Sequence, residues 1–349
     1  MRVLITGNMG YVGSVLIKYL KKEYEDIRIV GLDTGFFSHS LTGTDFLPEI
    51  LTEKQVFKDI REISKEDIVG VDSIIHLSAI SNDPMGMEFE EVTEDINQKA
   101  SINLAKLAVK EGVKNFVFAS SCSMYGSSEM KNPKTELDIT NPLTAYARSK
   151  INTEEELSRL DSKETIITCL RFATACGFSD RFRMDLVLND FVTCALTSNK
   201  ITILSDGSPW RPLIDVKDMS RAIAWAMQRS ILNGGKFRSI NIGSETNTFQ
   251  VKELADIVSR LIPNTTISLN TEAPPDKRSY KVDFSLFKEL APNYQPKVKI
   301  EKSVFEIING VKKMNFRDKD FRLSGYMRLN AIKILLSKKL INSELYWVK

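Results

Sequence analysis

Histidine is nearly missing from this 349-residue chain: only His39 and His76 occur. The four cysteines, Cys122, Cys169, Cys176 and Cys194, contain no Cys-x-x-Cys pair. A metal centre is therefore not expected. A histidine-based proton transfer would have to use one of the two, and His76 lies inside the strand-like run 73–79, so the proton is expected to move through another residue. No stretch approaches the apolar length of a membrane span, and the first residues enter a strand without a signal-peptide pattern. The expected address is cytoplasmic. Internal repeats and low-complexity segments are lacking too, and the net charge of +3 carries no footprint of a nucleic-acid partner.

Composition places the chain among globular proteins, with 42% hydrophobic and 27% charged residues. Its length suits one large α/β domain and a smaller lobe. We divide it into a first domain at 1–175, to which later segments return, and a second lobe with basic C-terminal helices at 176–349. Residues 297–349 hold thirteen Lys/Arg against five Asp/Glu, leaving the preceding part at about −5. That basic tail reads as the solvated faces of helices with apolar positions such as Ile332, Leu335 and Leu336, or as an oligomer or membrane-surface contact.

What is present is a glycine-rich turn. Gly7, Gly10 and Gly13 follow the apolar run 2–6 and precede a helical run, in Thr6-Gly7-Asn8-Met9-Gly10-Tyr11-Val12-Gly13. A strand turning at once into a helix gathers backbone N–H groups where a pyrophosphate can be held, and glycine lets the backbone approach it. The second strand-like run, 27–32, ends at Asp33, where a carboxylate can bond the adenosine ribose and repel a 2′-phosphate, favouring NAD over NADP. Asp59-Ile60 is a candidate adenine contact or an ordinary loop.

Strand-like runs at 3–6, 27–32, 56–57, 73–78, 115–120 and 165–172 alternate with helical patterns at 15–24, 97–111 and 145–160. This is the signature of βαβ units and a Rossmann-type, doubly wound parallel sheet. Past about residue 175 the pattern loosens into helix at 181–196, strand at 200–204 and helix at 216–228, giving a smaller mixed C-terminal lobe. Ligands of such sheets bind at the carboxyl ends of strands, where Thr6, Asp33, Ser78-Ala79 and Ser120-Ser121 fall.

Tyr146 and Lys150 are four residues apart, hence on one helix face one turn apart. A nearby cation favours a phenolate, so Lys150 with an oxidised nicotinamide can lower the Tyr146 pKa toward that of a working general base. The segment Ser120-Ser121-Cys122-Ser123-Met124-Tyr125-Gly126 ends a strand aimed at the same crevice.

With these residues in place, the chain resembles the extended short-chain dehydrogenase/reductases of the nucleotide-sugar epimerase and dehydratase family. The matching pieces are the glycine motif, Asp33, Asp59-Ile60, His76-Leu77-Ser78-Ala79, Asn97, Ser121 four residues before Tyr125, Tyr146 with Lys150, and Leu170-Arg171. The resemblance implies that Ser121 holds the sugar oxygen, Tyr146 removes the hydroxyl proton and Lys150 anchors the nicotinamide ribose. Gly7, Met9, Gly10, Tyr11, Val12, Leu77, Ser78, Ala79 and Asn97 would line the NAD site. A nucleotide-diphosphate sugar would meet Ser81, Ser121, Cys122, Ser123, Thr174, Arg181, Asn189, Arg211 and Arg278, with Arg183 in reserve. Arg211 stands in Trp210-Arg211-Pro212 and Arg278 in Asp276-Lys277-Arg278-Ser279-Tyr280, which resemble the family's diphosphate-binding stretches.

The family's 4,6-dehydratases carry an acid within two positions after the serine or threonine. Here those positions are Cys122 and Ser123, so the resemblance favours an epimerase that passes through a 4-keto sugar. A 4-dehydrogenase or reductase with net redox, a 4,6-dehydratase and a non-catalytic dinucleotide sensor are the alternatives. The Cys122 thiol is either an acid/base beside the ketone or a small buried residue. Helices near 97–111 and 146–160 would form the four-helix contact of a homodimer, as in many relatives.

Overall fold

The computed structural model describes residues 1–126, 132–270 and 279–348. Its strands are β1 (Arg2–Thr6), β2 (Arg28–Asp33), β3 (Lys54–Phe57), β4 (Ser73–His76), β5 (Asn115–Ser121), β6 (Ile166–Phe172), β7 (Thr174–Cys176), β8 (Lys200–Ile203), β9 (Trp210–Asp215), β10 (Phe237–Ile242), β11 (Thr248–Gln250) and β12 (Thr266–Leu269). Seven of them make one sheet in the order β3-β2-β1-β4-β5-β6-β10, every pair parallel. The order reverses between β1 and β4, and such a switch point opens a crevice at the carboxyl ends of the strands.

The central strands are apolar on both faces because helices cover both. Val3 and Ile5 pack with Leu16, Ile17, Ala222 and Ile223 on one side. Leu4, Ile74 and Phe116 pack with Leu104, Ala108 and Leu157 on the other. Helices Tyr11–Glu23 and Val216–Ala226 therefore cover the first face, and Ala100–Lys110 and Ala145–Arg159 the second. The first helix starts at Tyr11, earlier than the apolar pattern suggested, because the glycine turn feeds it without a linker. The pattern at 97–111 resolves into a π-helical turn, Asp95–Lys99, followed by Ala100–Lys110.

The second lobe has its own core, in which Phe191, Leu254, Val258, Val304 and Ile307 meet Ile201 and Leu213. Its sheets are small: β9 runs parallel to β7 and antiparallel to β11, and β8 pairs in parallel with β12. The helix expected from 181 begins at Val187, because Arg181 is bridged to Leu41 and the Arg183 carbonyl accepts from Asn189. No helix is long and apolar enough to cross a membrane among the described residues.

The chain's end does not stay with the second lobe. Ile332, Ile341 and Leu345 are buried in the core on the Ala100–Lys110 side of the large sheet. Trp347 Nε1 donates to the Thr34 carbonyl at 2.7 Å, and Arg61 Nη1 donates to the Glu344 carbonyl at 2.8 Å. Burial of the apolar Ile332, Ile341 and Leu345 draws a segment basic overall back onto the first domain.

Candidate active site

The glycine turn works by the absence of side chains. Gly7 has φ +72°, and a Cβ there would lie 2.7 Å from the Ser78 nitrogen; a Cβ on Gly13 would lie 2.5 Å from Asn8 Cα. Gly7 thus lets β1 pass against the end of β4, and Gly13 lets the helix close on its own entry loop. The helix Tyr11–Glu23 has no side-chain cap and no acid in its first turn, leaving its N-terminal pole available to an anion. Asp33 Oδ2 accepts from Met9 N–H at 3.0 Å and Oδ1 from Gly35 N–H at 2.8 Å. Burial raises its pKa against those two bonds.

A cavity of about 820 Å³ runs along this crevice, with Gly7, Gly10, Tyr11, Val12 and Asp33 at one side and Ser121, Tyr146 and Lys150 at the other. Asp59, Ile60, Leu77, Ser78 and Ala79 continue its wall. Asp59 also holds Arg61, accepting from Nε at 2.9 Å and Nη2 at 2.8 Å. The crevice fits a dinucleotide: it has a cradle that a Cβ would fill, an uncapped helix start and an acid at the end of β2.

Met9 and Asn97 are off the wall, and both brace it. The Met9 amide fixes Asp33 as described. Asn97 is fully buried and clamps the Ile80 peptide, accepting from its N–H at 2.8 Å and donating to its carbonyl at 3.0 Å. Asn97 Nδ2 also reaches Ser149 Oγ at 3.2 Å, tying the wall to the Tyr146 helix. Behind it, His76 bonds Thr6 Oγ1 and Ser101 Oγ, each at 2.7 Å. Burial holds its pKa down to about 3, so His76 is a neutral strut.

Tyr146 is the second residue of the helix Ala145–Arg159, whose start is capped by Thr144 Oγ1 accepting from Ala147 N–H at 3.2 Å. Burial raises the phenol to about 12, opposed by a hydrogen bond with Ser121 and by the charge of Arg183. Ser121 Oγ donates to Ser123 Oγ at 2.9 Å and accepts from Ser123 N–H at 3.1 Å, which orients it at the strand end. Lys150, one turn beyond Tyr146, donates to the Ala119 carbonyl at 2.8 Å, and burial lowers it to about 7. Lys150 Nζ stands 5.7 Å from the centroid of the Tyr146 ring, and Arg183 adds a second positive charge that favours the phenolate. Arg183 is itself held by Asp185 at 3.0 and 2.9 Å.

Ser81, Ser123, Thr174 and Arg211 reach the cavity as expected. Three other substrate candidates do not. The Cys122 thiol is fully buried, donates to the Arg171 carbonyl and is pushed up by burial, away from thiolate chemistry. Asn189 accepts from Gly177 N–H at 3.1 Å and donates to the Arg183 carbonyl at 2.9 Å, so it braces the loop between β7 and its helix. Arg181 is buried against Glu49 at 3.1 Å. Arg278 lies outside the described residues.

The cavity wall also carries Asp83, Asp185, Tyr280 and Arg328, which sequence reading did not place there. Asp83 accepts from Thr144 Oγ1 at 2.6 Å and acts electrostatically on Tyr146. Its signal was legible as a helix start, Asn82-Asp83-Pro84, since Asn82 caps that helix by accepting from Met85 N–H at 2.9 Å. Arg328 had no local signal.

Comparison with known proteins agrees with this geometry. The model of the NAD dependent epimerase/dehydratase family matches residues 3–243. A putative UDP-glucose 4-epimerase from Methanocaldococcus jannaschii is 26% identical over 328 residues, covering 90% of this chain and 99% of that one. Among solved structures, UDP-glucuronic acid 4-epimerase from Bacillus cereus, in complex with UDP-glucuronic acid and NAD, superposes with TM-score 0.76 at 20% identity, covering 90% and 99% of the two chains. TunA, an NAD dependent NDP-hexosamine 5,6-dehydratase, gives TM-score 0.76 at 21% identity, covering 91% and 99%. At such identities the solved structures speak for the fold.

Proposed function

Because the chain belongs to the NAD dependent epimerase/dehydratase family, we propose that it epimerises a nucleotide-diphosphate sugar through a transient 4-keto sugar. The observation that carries this reading is the meeting of Tyr146, Ser121 and Lys150 on one wall of the cavity that the glycine turn also lines. NAD, held along the crevice, would supply a reversible hydride acceptor. Tyr146 takes the proton of the sugar hydroxyl and gives it back after the ketose has turned. Ser121, on the same wall of the cavity, shares the oxygen on which charge develops. Lys150, fixed to Ala119, holds the nicotinamide ribose, and Arg211 on the same wall meets the diphosphate with its planar fork. This chemistry needs no acid beside Ser121, and burial of the Cys122 thiol removes the other candidate there.

The relatives named above are described as acting on UDP-sugars or NDP-hexosamines, so UDP-sugars head the substrates to try. Incubation with UDP-, GDP-, CDP- and dTDP-sugars followed by NMR tests the reading: inversion at C4 without net redox supports it, and no inversion on any of them removes it. Dinucleotide that stays bound through gel filtration supports internal recycling, whereas a requirement for added NAD supports a net dehydrogenase. A cytoplasmic homodimer belongs to the same proposal, and light scattering at micromolar protein tests the dimer.

A further inference from the structure

We infer that Arg328, carried into the crevice by the C-terminal helix Arg328–Ser337, is a ligand of the pyrophosphate of the bound dinucleotide. The inference rests on the NAD site described above and extends it to a residue almost three hundred positions beyond the ribose-side acid.

Three arginines meet beside the crevice, and two of them are matched. Arg181 has Glu49 at 3.1 Å and Arg183 has Asp185 at 2.9 Å. Arg328 forms no ion pair among the described residues, although it is only 3% exposed. Its guanidinium donates to Ser40 Oγ at 3.1 Å and, more weakly, to the Arg181 carbonyl at 3.5 Å. It stacks on Phe37, 4.0 Å from the ring centroid. A guanidinium has five N–H donors, so most of them remain for a ligand. Of the acids that act on it, Asp185 is held by Arg183, and Asp33 has both oxygens engaged by the Met9 and Gly35 amides. A buried guanidinium without a counter-ion is unfavourable, and burial together with repulsion from Arg183 pulls its pKa down to about 9. An anion in the cavity that Arg328 lines would relieve this.

Phosphate is the anion whose oxygens match the planar fork. Phe37 and Ser40 follow β2, and Asp33 closes it, so Arg328 stands at the dinucleotide's ribose side. Arg211, by contrast, stands with Tyr280 in the second lobe. The phosphates within its province are therefore the dinucleotide's and not those of the sugar nucleotide. Of those, a 2′-phosphate would face the Asp33 carboxylate, which leaves the pyrophosphate.

Calorimetric titration of the stripped full-length protein with NAD, ADP-ribose, adenosine, NADP and UDP tests this on wild type, R328K and R328M. We expect R328M to weaken NAD and ADP-ribose by roughly ten- to a hundredfold, as for a lost charge-assisted hydrogen bond, R328K to weaken them less, and adenosine and UDP to be unchanged. Unchanged NAD affinity in R328M, an equal loss for adenosine, or a loss confined to UDP would overturn the assignment. So would wild-type preference for NADP that R328K abolishes, since this would place the residue on a 2′-phosphate. Melting of the ligand-free variants reports folding, and R328K decides if R328M is unfolded. Absence of NAD binding by wild type would instead count against the cofactor site itself, so the two failures are told apart.

Discussion

Lys150 Nζ donates to the carbonyl oxygen of Ala119 across 2.8 Å, locking the tyrosine helix to the carboxyl end of β5. That ammonium is buried, and burial lowers its pKa from 10.5 to about 7. Between pH 10.5 and 7 the unfolded chain takes up a proton that the folded protein refuses, so the group's contribution to stability falls as pH falls through that window and is flat below it. K150M removes the titration. Its stability relative to wild type, both without NAD, should be most favourable at pH 7 and lose most of that advantage by pH 10, a differential on the order of 3–4 kcal/mol at most. A difference independent of pH would show that Lys150 keeps its proton in the fold. Turnover should fall together with NAD affinity.

Tyr146 needs help to become a base, because burial holds it near 12. Y146F should lower kcat by ~10²–10⁴-fold while leaving dinucleotide affinity within a factor of a few. As the working form is the phenolate, kcat/KM should rise with pH. Replacing the Arg183–Asp185 pair together, R183Q with D185N, removes one charge that favours the phenolate without leaving a carboxylate unpaired. The ascending limb of the pH profile should then move to higher pH. A limb that stays in place would deny Arg183 this role and return it to Lys150 or the nicotinamide.

How much of this was legible beforehand follows from the range of the interactions. The glycine turn and Asp33 were legible because a strand, a tight turn and a helix start are local in sequence. Tyr146 and Lys150 were legible because helical spacing alone puts them on one face. Cys122, Asn189 and Arg181 were misplaced because residue type says nothing of where a side chain points, and all three are consumed by partners inside the fold. Arg328 was illegible for a different reason: its place depends on Ile332, Ile341 and Leu345 finding the first domain's core, a contact without sequence period.

Glu154, one further turn along the tyrosine helix, accepts from Arg171 Nε at 3.0 Å and Nη2 at 2.7 Å and from Ser239 Oγ at 2.8 Å. This joins the helix to β6 and β10 through a buried pair. E154A leaves the guanidinium unmatched and should destabilise the protein by about 3–5 kcal/mol, measured by denaturant unfolding. The double variant E154L/R171M should recover most of the loss. If it does not, the bonds from Arg171 to the Tyr125 hydroxyl and the Glu136 carbonyl, at 3.0 and 3.1 Å, matter more than the ion pair.

The last residues pack against Thr34, Phe36 and Arg61, and two substitutions separate their structural and binding contributions. Leu345 is fully buried among first-domain residues, so L345A should cost about 2–5 kcal/mol through lost burial and a cavity. Trp347 is partly exposed, yet it packs on Phe36 with ring centroids 5.4 Å apart and bonds the Thr34 carbonyl. Thr34 and Phe36 line the cavity beside Asp33. W347A should therefore leave stability within about 1–2 kcal/mol, the loss of one hydrogen bond and one ring contact, and weaken NAD several-fold by loosening the wall. Equal affinity for NAD in W347A and wild type would reduce the segment to a stabilising strap with no part in holding the cofactor.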